Sequence, residues 1–443
     1  MNRSLASLLR RQFNQWLRAV LASLPRDIRH AIYRQMVECN PTPDPRLTLK
    51  IAETSEELRA CFALLHDAYV GEGFMKPSPN GLRVTPYHAL PTTTTLCAKW
   101  DGEVVGTISL VREGVFGFPL QEAFVLTEVR SRPGQLAEVS ALAVHRSFRK
   151  TGGTILFPLM KFMYQYGGGI FDTRHLLIAV NPNRIELYES LLLFERLHAA
   201  EVSAYDFANG APAVGASLDL ESAPSRFRAV YGGKPARKNL FRYFVDVRMP
   251  NIHMPERRYH VTTDPVMTPE LLDEFFNQRT QVFAELPERR RLLLREVYAE
   301  EKFARVLPAV ELVAGVAAGG VAGAGGATLR RHPRYPLKCP ALIHEGAATR
   351  DALPAMVIEI SLKGFQARAQ QELQIGSRWN VSVELGAGVN SKVQAVVRRW
   401  VKSTGGYYYG FEIDEPDEAW TACVEALQRS TTGSDLSLGR AAA

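Results

Sequence analysis

Apolar residues at Leu5, Leu9, Phe13, Leu17, Val20 and Leu24 recur at helical spacing, which predicts one or two helices over residues 1–38. The cluster NPTPDP (40–45) breaks regular structure and predicts a boundary. From about Leu47 the pattern becomes mixed α/β. It predicts a helix over Glu56 to Ala68, then strands over Thr92 to Trp100 and Glu103 to Val111 joined by Asp101-Gly102, a strong hairpin signal. Further on it predicts a strand over Leu136 to Val144, a helix over Gly153 to Tyr166, a strand over His175 to Val180 and a helix over Arg184 to Phe194. Residues 202–265 predict further short strands, and Thr268-Pro269 opens a helix with a cap followed by Pro in the first turn.

After Leu329 the texture changes. Ala341–His344, Ala355–Ile360, Phe365–Ala369, Trp379–Leu385, Val393–Lys402 and Tyr407–Ile413 read as short strands at regular spacing, the signature of a small barrel. A helix over Asp417 to Gln428 closes it. The expected organisation is five segments: basic amphipathic helices 1–45, an α/β domain with a helical extension 46–306, an Ala/Gly-rich linker 307–328, a small all-β domain 329–429 and a disordered tail 430–443.

A chain of 443 residues calls for more than one domain, and a net charge of +7 suits acidic partners without demanding nucleic acid. The five cysteines are scattered, with no Cys-x-x-Cys pair, so the sequence offers no zinc spacing, no metal site and no disulfide framework. A reducing, cytoplasmic compartment fits. In residues 1–38 seven arginines face only Asp27 and Glu38. Two readings stand: a helix docked on the next domain, ranked first, and peripheral contact with an anionic inner membrane.

The densest candidate chemistry is AEVSALAVHRSFRKTGGTILFPLMKFM (137–163). A strand leads into a turn with Arg149, Gly152 and Gly153, then an amphipathic helix. Backbone N–H groups at a Gly-rich turn before a helix suit a phosphate, and Arg149 adds a charge-assisted donor. The same Gly-Gly is equally compatible with a plain strand-to-helix turn.

The arrangement resembles the acyl-donor motif of GNAT acyltransferases, with Arg149, Gly152 and Thr154 at its positions; Thr154 departs from the family's small residue. The hairpin over 92–111 and the segment AVNPNRIELYESLLLF (179–194) resemble other parts of that fold. The strings AEVSALAV, LRVTPYHALPTTTT (82–95) and FANGAPAVGASLDL (207–220) are similar to long-chain N-acyl amino acid synthases and their relatives, the acyl-homoserine-lactone synthases. The resemblance spans roughly 50–300. It implies transfer of a long fatty acyl group from the phosphopantetheine of acyl carrier protein, or from acyl-CoA, to an amino acid's α-amine. It also implies Glu138, or a water it orients, as general base and Tyr188 as general acid. Backbone N–H groups near Leu142 to Val144 are the candidates for polarising the thioester carbonyl. Arg83, in the loop before the hairpin, is the candidate for the amino acid carboxylate.

A second constellation follows the linker. Arg330 and Arg334 form Arg-x-x-x-Arg, and EISLKG (359–364) sets Ser361 and Gly364 at Ser-x-x-Gly spacing. Paired guanidinium groups grip phosphates and stack on bases. Together with GYYYGFEI (406–413) these motifs resemble the PilZ domain, which implies cyclic di-GMP as a regulatory ligand. Glu359 stands where ligand-binding members carry Asp or Asn.

The expected fold is thus an α/β (α+β) GNAT-like acyltransferase domain followed by a small all-β PilZ-like barrel. The leading function is an N-acyl amino acid synthase gated by cyclic di-GMP. An acetyl-CoA-dependent acetyltransferase and a non-catalytic cyclic di-GMP-binding scaffold are the alternatives.

Overall fold

The computed structural model describes residues 23–149, 151–197, 202–205, 210–256, 259–264, 266–298, 300–310, 332, 334–345, 352–386, 388–403 and 406–429. Arg330, the linker from residue 311, the tail and the predicted helix before residue 23 lie outside them. Among the described residues no helix is long and apolar enough to cross a membrane.

Helix α1 (Arg26–Met36) precedes the first sheet. Its arginines are spent on the body of the domain: Arg26 pairs with Glu189 at 2.9 Å, Arg29 with Glu186, and Arg34 donates to the Ser190 carbonyl at 2.9 Å.

The sheet opens with β1 (Leu47–Ile51), crosses through α2 (Ser55–Gly71) and continues as β2 (Thr93–Trp100) and β3 (Glu103–Arg112). Thr54 caps α2 by accepting from the Glu57 N–H. The β2–β3 turn places Asp101 at φ 49° and Gly102 at φ 88°, the left-handed pair that a tight hairpin needs. After α3 (Thr127–Ser131) come β4 (Gln135–Val144), α4 (Leu156–Phe171), β5 (Thr173–Val180) and α5 (Pro182–Leu192). Strands β6 (Glu195–Arg196), β7 (Val202–Tyr205) and β8 (Ala211–Asp219) complete it. The strand order is β1-β2-β3-β4-β5-β8-β6, with β7 paired to β8. Among the named strands of the described residues, β4 and β5 are the one parallel pair.

Beyond Asp219 the predicted short strands are absent among the described residues. Pro224 in a first turn starts α6 (Ala223–Tyr231), and a π-helical turn follows at Arg242–Asp246. Thr268 caps α7 (Pro269–Asp273) as its sequence predicts, and the helix runs into a second π turn, Glu274–Gln278, before α8 (Glu288–Val297). These elements pack on the sheet: Phe275 meets Phe62 of α2 edge-on at 5.2 Å.

The second domain is a closed antiparallel barrel. Its strands are β9 (Arg334–His344), β10 (Leu353–Ser361), β11 (Gly364–Ala369), β12 (Arg378–Gly386), β13 (Val389–Ser403) and β14 (Gly406–Ile413). Helix α9 (Glu418–Arg429) plugs one end, burying Trp420, Cys423, Val424 and Leu427 in the barrel's apolar core. The resemblance-based expectation of an α/β domain followed by a small all-β barrel holds.

Candidate functional site

Strand β4 is paired to β5 only as far as Glu138, opposite Leu177. Past that point the two part. On the other side, pairing with β3 slips between Thr107 and Ser109, and Ala141 takes φ 53°, a bulge in the left-handed region. A splayed parallel pair beside a bulge opens a cleft at mid-sheet.

The cleft is a cavity of about 1280 Å³ that brings together Glu138, Leu142, Val144, Arg149 and Tyr188. Its inner wall is apolar, with Met160 and Met163 of α4, Leu176, Leu218, Phe227 and Phe244. Small-molecule pockets span roughly 300–1,000 Å³, so there is room for far more than a two-carbon group.

Glu138 is 2% exposed, and its Oε2 accepts from the Leu120 N–H at 2.9 Å. Burial pushes the carboxyl up to about 8; the Leu120 bond pulls the other way and the charge of Glu122 adds to the rise. Tyr188 is half-buried against Phe194, ring centroids 6.0 Å apart. Desolvation raises its phenol, opposed by Arg184, so it holds its proton at neutral pH. Tyr205, buried, also lines the cavity; burial raises its phenol, and the charge of Glu138 adds to the rise.

At the mouth, Arg149 donates from Nε to the Val144 carbonyl at 2.9 Å and lies 3.8 Å from Glu72; Arg184 approaches the same Glu72 oxygen at 3.9 Å. Two guanidinium groups thus flank the opening, with a carboxylate between them. Gly152 and Gly153 stand at φ 67° and 84°, and a Cβ on Gly153 would meet the Phe157 ring at 2.3 Å. The positive φ at both delays α4 to Leu156, three residues beyond the predicted start. Thr154 turns its hydroxyl to the Thr151 carbonyl at 2.6 Å. Gly152, Gly153 and Thr154 are not among the residues lining the cavity. Arg83 is set back: its guanidinium stacks on the Tyr69 ring at 3.9 Å, and it is Tyr69 that reaches the cavity wall.

Sequence reasoning missed Arg184, Glu72, Tyr205, Phe227 and Phe244. Arg184 stands in the quoted segment 179–194 and offered a charge beside the helix start. Phe227 and Phe244 come from elements far along the chain, with no local signal tying them to the site.

On the barrel, Arg334 at the start of β9 and Ser361 at the end of β10 are register partners, and Ser361 in turn opposes Gly364. Arg334 Nη1 pairs with Glu359 Oε1 at 2.7 Å. The Ser361 hydroxyl donates to the Gly364 carbonyl at 3.0 Å, and the Ser361 carbonyl accepts from the Trp420 indole at 3.0 Å. Gly364 is required here: a Cβ would sit 2.5 Å from the Phe411 carbonyl oxygen. With its amide turned so that the oxygen meets both guanidinium groups, Gln366 accepts from Arg334 Nη1 at 2.9 Å and from Arg399 Nη2 at 3.1 Å. Arg399, which the motifs did not single out, therefore joins the same rim as Arg334, Glu359, Ser361 and Gly364.

Residues 60–219 match the family described as N-acyl amino acid synthase FeeM, and residues 328–430 match the PilZ domain family. Among solved structures the chain is similar to FeeM, an N-acyl amino acid synthase from uncultured soil microbes. The identity is 23% over 41% of this chain and 95% of that one, with TM-score 0.35. It is also similar to BjaI, a CoA-dependent acyl-homoserine lactone synthase, at 19% identity over 43% of this chain and 91% of that one, TM-score 0.32. The third is YcgR from Escherichia coli, solved with c-di-GMP, at 22% identity over 23% of this chain and 43% of that one, TM-score 0.19. No curated protein matches the chain.

Proposed function

We propose that this chain, an acyltransferase carrying an N-acyl amino acid synthase region of the FeeM family joined to a PilZ domain, moves a long-chain fatty acyl group from acyl carrier protein to the α-amine of an amino acid, under control of cyclic di-GMP. The observation that carries the catalytic half is Glu138: a buried carboxyl, raised to about 8, facing a large cavity with an apolar inner wall.

An α-ammonium is no nucleophile until it loses a proton. The α-amine of a free amino acid, held as ammonium by its own carboxylate, titrates above the ~8 of a peptide's α-amino group, and a carboxylate raised to about 8 is a far better acceptor for that proton than an ordinary one. The free amine then attacks the thioester carbonyl, forming the C–N bond. Charge builds on the carbonyl oxygen, and the bulge at Ala141 turns strand β4 into the cleft, where N–H groups of Leu142 and Val144 can meet it. The C–S bond breaks as Tyr188 supplies a proton to the departing sulfur, the adduct's second nitrogen proton passes to the Tyr188 phenolate, and Glu138 releases its own proton to solvent. Arg149 and Arg184 are suited to the phosphate of the donor's phosphopantetheine arm. In the barrel, the phosphates of cyclic di-GMP would compete with Glu359 for Arg334.

The test is turnover of purified protein with a long-chain acyl carrier protein and single amino acids, read by mass spectrometry. An N-acyl amino acid product is expected. Turnover of acetyl-CoA with none from acyl carrier protein would replace this reading with the acetyltransferase one.

A further inference from the structure

Lys338 of β9 joins the barrel to the acyltransferase domain. Its N–H donates to the His260 carbonyl at 2.7 Å, and its ammonium pairs with Asp172 at 2.6 Å. Both partners belong to the first domain. Asp172 is the left-handed C-cap of α4, and its own N–H donates back to Gly167. His260 sits in a short segment whose side chains alternate between the domains. Tyr259 and Val261, each 3% exposed, are part of the barrel's apolar core, while His260 Nδ1 bonds to the Ile170 carbonyl at 3.2 Å.

The same segment continues into the sheet. The Thr262 carbonyl accepts from Arg112 Nη1. The Asp264 N–H donates to the Pro91 carbonyl at 3.0 Å, and the Asp264 carboxylate accepts from the Tyr166 hydroxyl. Arg112 is buried in β3, its guanidinium over the Phe171 ring at 3.6 Å, and Nη2 donates to Pro91 at 3.1 Å. Its neighbour Val111 is the register partner of Glu138. At the other end, Arg334 lies four residues from Lys338 on β9, about 13 Å along a strand.

We infer that residues 259–264 form a strap through which the ligand state of the barrel rim reaches the acyl-transfer cavity, with Lys338 and Asp172 as its anchor. The inference rests on the proposed binding of cyclic di-GMP. Without ligand, Glu359 holds Arg334 and the start of β9 in one position. A ligand that takes Arg334 away shifts β9, and Lys338 carries the shift along two arms. One runs through residues 260–264 and Arg112 to the strand pair holding Glu138. The other runs through Asp172 to α4, whose Met160 and Met163 wall the cavity. Coupling requires unequal ligand affinity for the two positions; 1–3 kcal/mol, or about 5–150-fold, is ordinary.

The test compares the wild-type chain with Lys338→Gln and Asp172→Asn, full length, with and without cyclic di-GMP. Amide hydrogen exchange and acyl-transfer rate are read together. In the wild type, ligand should protect amides over 359–366, alter exchange over 260–264 and around 111–112, and change the rate. In both variants the barrel protection and the ligand-free rate should persist while the strap and rate responses disappear. Barrel protection with no response in the wild-type strap or rate would overturn the strap and leave ligand binding standing. A full rate response in both variants would also overturn it. Absence of barrel protection at high micromolar ligand would remove the binding reading itself, and the strap with it.

Discussion

Arg334 and Glu359 hold each other at 2.7 Å across neighbouring strands, each side chain 33% exposed. The carboxylate therefore stands where an anionic ligand needs the guanidinium. Exposed pairs of this kind contribute roughly 0.2–1 kcal/mol. Glu359→Asp withdraws the carboxylate by one methylene and should loosen the pair. Cyclic di-GMP should then bind up to about fivefold more tightly, since about 1.4 kcal/mol is a factor of ten. Arg334→Ala should abolish binding. Titration calorimetry on the full chain is the check; an unchanged affinity in the Asp variant would mean that Glu359 does not compete with the ligand.

Arg399 should prove to be a ligand contact. It shares Gln366 with Arg334 and lies opposite Gly410, where a Cβ would come within 3.0 Å of its side chain. Arg399→Ala should weaken cyclic di-GMP binding by about tenfold or more, the loss of one charge-assisted contact of roughly 1.5–3 kcal/mol. Gly410→Ala, which pushes the same side chain aside, should weaken it in the same direction. Wild-type affinity in both variants would confine the site to the two sequence motifs.

Glu138→Gln keeps the Leu120 hydrogen bond but cannot take a proton. Loss of a general base typically costs about 10²–10⁴ in rate. Wild-type transfer should climb with pH and level off above about 8, where the buried carboxyl is ionised. The variant should lack that limb and climb only at higher pH, with the titration of the amino acid's α-amine. A variant with the wild-type rate and profile would take Glu138 out of the chemistry.

Much of this was legible in the sequence where the signal is local. Asp101-Gly102 announced the hairpin because both residues tolerate positive φ, and stretches of the barrel strands, such as Gly364–Ala369, alternate between the core and solvent. Strand β9 was foreseen only from Ala341 because Pro336 and Pro340 broke the pattern. The structure accommodates them because the stretch before Ala341 pairs with β10 alone, while β12 joins only over Ala341–His344. A half-strand with one open side can spare an N–H at each proline, and the same open side leaves the Lys338 N–H for His260. The cavity was legible only in part. Glu138, Arg149 and Tyr188 stand on predicted elements, whereas Phe227 and Phe244 reach it from elements that follow the sheet. Nothing in their spacing reports where the chain returns.

Glu138 also imposes a pH dependence on stability, and its sign follows from the direction of the shift. The carboxyl titrates near 4.5 when unperturbed and near 8 in the folded chain. Between those values the folded state keeps a proton that the unfolded state has lost. Folding thus takes up a proton, and stability falls as pH rises from about 5 to about 8. The contribution is complete below the unfolded value and gone above the folded one. Asp264, raised to about 7 by burial, adds a slope of the same sign, but it is common to wild type and variant. The comparison with Glu138→Gln cancels it. A neutral amide meets the buried site at every pH much as the protonated acid does. Melting temperatures of the two proteins should therefore lie close together near pH 5 and diverge steadily in the variant's favour toward pH 8. Parallel curves would mean that Glu138 is ionised in the folded chain throughout. In that case the raised basicity of this carboxyl would no longer explain how the proton is taken.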